Sequence, residues 1–227
     1  MKTKFLNAFS QNAILITFFI SLFAFSNCSR DTSISQNIYS CSPEINDWVL
    51  KNLTVIQTFS REDFVNYDDS RQRAAFRSLT PEKKLQLWRN KLTEEMEICN
   101  TDKERDHIEK LLNMTDIKLY SDTAYAKKFI IKAQSWYVES VQKFGWTRLK
   151  VSLMVGTLYL SDESDKTLIE FLGAKNEIAA PDCACHRDFF CSPGMYCNTT
   201  YKCTESNHGC GWLMVESCIG ECDWIYK

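Results

Sequence analysis

The chain predicts a mainly α-helical domain of four to six helices, followed by a small, loop-dominated, disulfide-rich C-terminal module. Three observations lead there. Between residues 41 and 160 apolar residues recur at helical spacing, separated by capping and stop signals. Only 7 Gly and 4 Pro occur in 227 residues, too few for a turn-rich all-β body. Of 11 cysteines, eight fall between Cys183 and Cys222.

The helical elements follow in order. Ser42-Pro43-Glu44 is a start signal, with a capping hydroxyl, proline at the first helical position and an acid in the first turn. Ile45, Trp48, Val49 and Leu53 then keep helical spacing. A weaker segment around Phe64 leads into Ser70 to Leu79, with Ala74, Ala75 and Phe76 expected inside. Thr80-Pro81-Glu82 repeats the start signal, and Leu85, Trp88, Leu92, Met96 and Cys99 make one apolar stripe. Thr101-Asp102-Lys103-Glu104 fits a capping box leading to Ile108, Leu111 and Leu112. A longer helix is expected from about Ser121 to Phe144, with Ala126, Phe129, Ile130, Ala133, Trp136 and Val141 inward and Gly145 ending it. Residues 146–160 are apolar and β-branched, and their periodicity leaves buried helix and strand pair both open. A short helix around Leu168, Phe171 and Leu172 precedes a linker over 176–182. The helical domain is therefore placed at 41–175 and the cysteine module at 183–227.

The N-terminus reads as an export signal. Lys2 and Lys4 precede an apolar run from Ala13 to Phe25, short of the ~20 residues that span a bilayer and typical of a secretory core. The run ends at Phe25-Ser26-Asn27-Cys28, followed by polar residues. This resembles the lipobox of bacterial lipoproteins in its looser form. The resemblance implies cleavage before Cys28, so that residues 1–27 are a signal peptide, and acylation of that thiol. Two or three acyl chains anchor a protein to a membrane without a transmembrane helix. A plain signal peptide cut near Asn27 would instead leave Cys28 an ordinary cysteine. Residues 28–40, rich in Ser, Asn, Thr and Gln, read as a polar tether.

With Cys28 acylated, ten cysteines remain, an even number as a disulfide framework requires. They are Cys41 and Cys99 in the helical region, and Cys183, Cys185, Cys191, Cys197, Cys203, Cys210, Cys218 and Cys222 in the module. Cys41 precedes the first helix and Cys99 ends the fourth segment, so a Cys41–Cys99 bond is expected. Two buried thiols would serve the core as well. A 45-residue module cannot bury enough apolar surface to fold unaided, and each closed loop adds about 2–4 kcal/mol. The eight cysteines admit about 105 pairings, which spacing does not narrow.

Within the module, the Cys183-Ala184-Cys185 opening precedes the Cys191, Cys197 and Cys203 series. The His208-Gly209-Cys210-Gly211-Trp212 segment and the Trp224-Ile225-Tyr226 tail complete the pattern. Together they resemble the bacteriocin fulvocin C-related family, with the match confined to about a fifth of the chain. The closing pair departs from that pattern, being Cys218-x₃-Cys222 here. The resemblance implies an antibacterial module, displayed on the cell or released by proteolysis at Ile178-Ala179-Ala180-Pro181. Its target would be a receptor or envelope component of another cell.

Phe189, Phe190, Tyr196, Tyr201, Trp212, Trp224 and Tyr226 are expected to be exposed and to form a binding surface. The module carries Arg187, Lys202 and Lys227 against Asp188, Glu205, Glu216, Glu221 and Asp223, a net of −2. Anionic membranes attract basic segments, so simple charge-driven lysis is not expected, and a receptor-directed toxin is left open. A non-catalytic cell-surface binding module is the alternative to a toxin.

Other classes find no support in the residues. The overall charge of −2 is evenly spread and leaves no footprint for nucleic acid. No GxSxG, HExxH, P-loop or dinucleotide glycine pattern occurs, so no enzyme is predicted. His186 and His208 could ligate, but the paired CxxC knuckles of zinc sites are absent, and no metal or cofactor is predicted. His107 is expected on a polar helix face. Asp68-Asp69 and Glu94-Glu95 are expected to be solvated.

Overall fold

The start signals act as expected. The computed structural model describes residues 39–161, 185–186, 191, 195–200 and 206–224. Among these run seven α-helices: α1 (Pro43–Ile56), α2 (Arg61–Val65), α3 (Asp69–Ser78), α4 (Pro81–Glu97), α5 (Asp102–Asn113), α6 (Thr123–Phe144) and α7 (Arg148–Gly156). Five have ten or more residues. The short α2 and α7 raise the count above six. Ser42 Oγ accepts from Ile45 N at 3.4 Å, Thr80 Oγ1 from Lys83 N at 3.3 Å and Thr101 Oγ1 from Glu104 N at 3.2 Å. Each such cap contributes about 1 kcal/mol. Gly145 closes α6 with a left-handed φ of 64°, which glycine adopts at little cost.

Helix α1 packs on α3, and α4 on α5. A 3-10 turn, Ile117–Tyr120, lies against both α4 and α6. Phe64, Phe76, Trp88, Leu92, Ile108 and Leu111 are fully buried in the shared core. Residues 148–156 resolve the helix-or-strand alternative in favour of helix.

Two expectations for the α5–α6 contact are corrected. Val141 is 39 % exposed, and Ser140 takes the inward place four residues after Trp136. A serine is tolerated there because its hydroxyl accepts from His107 Nε2 and donates to Trp136 O, each at 2.8 Å. His107 is not on a polar face. It shares the inward side of α5 with Ile108 and Leu111, is 1 % exposed and stacks on Trp136 at 4.7 Å. Burial lowers its pKa, and Trp146 and Phe144 close the aromatic cluster.

The expected Cys41–Cys99 bond does not form, and neither residue enters a disulfide. Cys41 stands at the start of α1, which packs on α3. Cys99 belongs to the turn from α4 to α5, where its thiol donates to Glu95 O at 3.3 Å. Burial raises the pKa of that thiol.

Glu95 was expected in solvent and is wholly buried, as is Lys91. Lys91 Nζ donates to the carbonyls of Leu153 (2.5 Å), Met154 (2.9 Å) and Thr157 (2.7 Å), with Glu95 Oε1 at 3.7 Å. The C-terminal end of α7 presents orphan carbonyls and partial negative charge, and a buried ammonium answers both. Glu95 in turn accepts from Ser161 N and Oγ, at 3.0 and 2.5 Å. Arg61 bonds Glu94 at 2.8 Å and the Leu158 carbonyl at 3.1 Å. Residues 153–161 are thus clamped by side chains of α2 and α4.

Among the described residues of the module, four short strands form two antiparallel pairs: β1 (Met195–Asn198) with β4 (Glu221–Trp224), and β2 (Ser206–Cys210) with β3 (Glu216–Cys218). The class is therefore mainly helical with a strand-poor, disulfide-bearing C-terminal region. The signal peptide, the tether, the segment around Leu168 and the linker lie outside the described residues. The described parts of the helical body and of the module fall within one compact unit.

Lys91→Met should lower folding stability by about 3–5 kcal/mol, because it leaves Glu95 and three carbonyls buried without their cation. Lys51, whose pair with Asp47 is exposed, should cost under about 1 kcal/mol on the same change. Urea denaturation of the two variants checks this, and a Lys91 variant as stable as wild type would refute it.

Candidate functional site

The module is organised by cysteines. Cys185 bonds Cys197, Cys191 bonds Cys222 and Cys210 bonds Cys218. Cys183 and Cys203 lie outside the described residues. The first two bonds sit together, and their four sulfur-bearing side chains form a small nucleus between β1 and β4. Cys197 faces Cys222 in the β1–β4 register, and Cys185 bridges to Gly220 beside it. The Sγ atoms of Cys185, Cys191 and Cys222 lie within 4.8 Å of one another, with their bonding capacity already taken by the disulfides.

The third bond closes a tight ring from Cys210 to Cys218. Inside it a 3-10 turn, Trp212–Met214, enters the helical core. Trp212, Leu213, Met214 and Val215 are each no more than 6 % exposed, and the turn packs against α7. Leu213 and Met214 both have positive φ, 49° and 54°. Left-handed backbone costs about 1–2 kcal/mol per non-glycine residue, so tertiary packing and the ring impose this shape. Gly211 is required: a Cβ there would lie 2.0 Å from Glu216 Oε2. That carboxylate is 7 % exposed, accepts from Trp212 N at 3.3 Å and lies 3.3 Å from His186 Nε2. His186 Nδ1 donates to Ser217 O at 2.7 Å.

The helical body supplies the seat. Arg73 and Arg77, four residues apart on α3, reach β2 from one face. Arg73 Nη1 donates to Gly209 O and, at 3.4 Å, to Cys210 Sγ, while its Nε is held by Asp69 at 2.6 Å. Arg77 donates to His208 O at 3.0 Å, to Tyr39 O at 2.8 Å and to Cys218 Sγ at 3.4 Å. Tyr120 OH donates to Leu213 O at 3.0 Å, and burial raises its pKa well above the phenol range.

Lys84 completes the seat. It is 4 % exposed, with Nζ 3.5 Å from His208 Nδ1 and near the rings of Phe76 and Tyr120, at 5.5 and 5.9 Å. Burial, with the Arg77 charge second, lowers its pKa to about 8. Burial, with Lys84 second, lowers that of His208 to about 4.

The predicted surface residues divide. Tyr196 on β1 is 38 % exposed, as expected. Trp212 is not a surface residue: at 2 % exposure it anchors the turn in the core. Trp224 ends β4, and its side chain lies outside the description. Phe189, Phe190, Tyr201, Tyr226 and Cys28 also lie outside the described residues. Sequence reading missed Arg73, Arg77 and Lys84. Their signal was present in the spacing of Asp69, Arg73 and Arg77, an i, i+4 ladder on the helix that also carries the buried Ala74-Ala75-Phe76. No family model, curated protein or solved structure matches the chain.

The seat makes stability depend on pH. The folded-state pKa of His208 is about 4 against an ordinary 6.5, so folding favours the neutral ring. This contribution is complete above pH 6.5 and is lost as pH falls toward 4. Lys84, at about 8 against 10.5, has the same sign in a higher window and is charged in both states below pH 8. Urea midpoints measured from pH 7 to 4 should fall more steeply for wild type than for His208→Asn. Parallel profiles would show that folding does not depress the His208 pKa.

Proposed function

We propose that this protein is an exported, lipid-anchored binding protein, in which the helical body presents a non-catalytic, disulfide-framed module to a component of another cell's envelope. The observation that carries the reading is the burial of Trp212, Leu213, Met214 and Val215 in the helical core. Transfer of such side chains to water costs about 2 kcal/mol each. A module seated this way favours display over release, because cleavage at 178–181 would leave the tail held by those residues. The β1–β4 pair contributes none of its described side chains to that core, and Tyr196 is exposed on it. An aromatic on a rigid, cross-linked strand pair is the kind of group that dominates binding hot spots.

Export is supported by the three disulfides, which persist in oxidising compartments. The apolar run ending at Cys28 supplies the proposed anchor. The module's acidic balance directs the reading toward a receptor or other envelope component and away from bare lipid.

Fractionation and mass spectrometry of the native protein should find the intact chain on membranes with a lipid adduct on Cys28. Cys28→Ser should move it to the soluble fraction. The soluble Cys28→Ser chain should bind target cells saturably, and Tyr196→Ala should weaken binding about tenfold or more. A C-terminal fragment in the medium that inhibits neighbouring bacteria would replace this reading with that of a released toxin. Non-saturable adsorption unaffected by Tyr196→Ala would end it.

A further inference from the structure

The two sulfurs of the Cys210–Cys218 bond each accept from a guanidinium, Arg73 Nη1 on Cys210 and Arg77 Nη2 on Cys218, both at 3.4 Å. The same two arginines hold the β2 backbone through Gly209 O and His208 O, so neither contact depends on a loosely placed side chain. Glu216, within the ring, is occupied by Trp212 N and His186. Asp69 offsets part of the Arg73 charge, and Lys84 adds another cation beside His208. A disulfide sulfur is a weak acceptor, but a thiolate in the same place is a strong one. Cationic donors of this kind lower thiol pKa values and stabilise the reduced pair. The ring also confines Leu213 and Met214 to positive φ, a constraint that opening would relax.

We propose that Cys210–Cys218 is the exchangeable disulfide of this protein, reduced by a dithiol of protein or small-molecule class, and that its oxidation state controls the seating of the Trp212–Val215 turn. In the reaction a thiolate of the dithiol attacks one sulfur and the S–S bond breaks. The other sulfur leaves as a thiolate against its guanidinium. The second thiol of the reductant then resolves the mixed disulfide. Two electrons pass from the dithiol to the cysteine pair, and the dithiol leaves as its own disulfide. The two thiol protons pass to the cysteines or to water. Cys210 and Cys218 are 1 % and 0 % exposed, so attack follows a local opening of the β2–β3 pair. The Cys185–Cys197 and Cys191–Cys222 bonds serve as internal references, because their sulfurs pack on one another between β1 and β4.

The full chain, equilibrated in buffers of reduced and oxidised dithiothreitol at pH 7, is quenched and labelled with two mass-distinct alkylating agents. Peptide mass spectrometry then reads each pair. Cys210–Cys218 should reach half-reduction at a reduced-to-oxidised ratio about tenfold lower than the other two bonds, the stabilisation expected when one thiol of the pair titrates about one unit below the buffer pH. Arg77→Gln should raise that ratio about tenfold and leave the other two bonds unmoved. Once reduced, the wild-type chain should be cut by chymotrypsin after Trp212 at least about tenfold faster, as local opening exposes the turn. Common titration of all three bonds in wild type overturns the proposal whether or not the variant folds. So does an unchanged midpoint in folded Arg77→Gln. A reduced chain as resistant at Trp212 as the oxidised one overturns the control of seating.

Discussion

The ring closed by Cys210 and Cys218 is the constraint on which the relation between module and helical body depends. It holds four apolar residues in a backbone conformation that an open chain would seldom adopt, with Leu213 and Met214 both left-handed. In exchange those side chains fill a gap against α7 and beneath Tyr120, whose hydroxyl donates to the Leu213 carbonyl. Burial of the four outweighs the local backbone cost by about two- to fourfold on ordinary transfer values. The disulfide restricts the alternatives of the unfolded loop, while packing supplies the attraction. Gly211 lets the chain turn in beside Glu216.

Two buried lysines on α4 show how differently the fold treats one charge. Lys91 has three carbonyls and a carboxylate around it, and it terminates α7 electrostatically. Lys84, two turns earlier, has one histidine nitrogen and two ring faces. The first is a structural clamp. The second is a poorly compensated ammonium at the seam with β2, where burial depresses the pKa values of both Lys84 and His208 and their mutual proximity adds to the effect on His208. Arg73 and Arg77 divide the same seam between backbone carbonyls and sulfur, so the seam is polar at its rim and apolar where the 212–215 turn enters.

The helical layout was largely legible in the sequence because it rests on local rules. Ser42, Thr80, Thr101 and Gly145 mark their helix ends, and the stripe through Trp88 and Leu92 identifies a buried face. What escaped was set by distant partners. Glu95 is buried only because Lys91 and Ser161 meet it, and His107 only because Ser140 and Trp136 receive it. Trp212 lies beside Cys210 in a segment that reads as an aromatic surface loop, and its inward turn depends on helices some fifty or more residues away. The three disulfide pairings were likewise beyond reach, since spacing ranks no pairing above another. Cys41 and Cys99 resemble partners in order along the chain, but their helices take them to different neighbours.

The division within the module follows from where its stabilisation comes from. The β2–β3 pair borrows the helical core through residues 212–215 and the α3 arginines. The β1–β4 pair has a nucleus of four cysteine side chains and, among its described residues, no part in that core. Among its described residues, that pair is held by two disulfides. Tyr196 is exposed on it, opposite the buried Asp223 in the strand register. Under the proposed binding role, substitution of Tyr196 would perturb recognition, whereas substitution in the buried 212–215 turn would perturb folding first. That separation suits the proposed display: one half of the module is seated in the helical core, and the other is closed by disulfides and carries the exposed Tyr196.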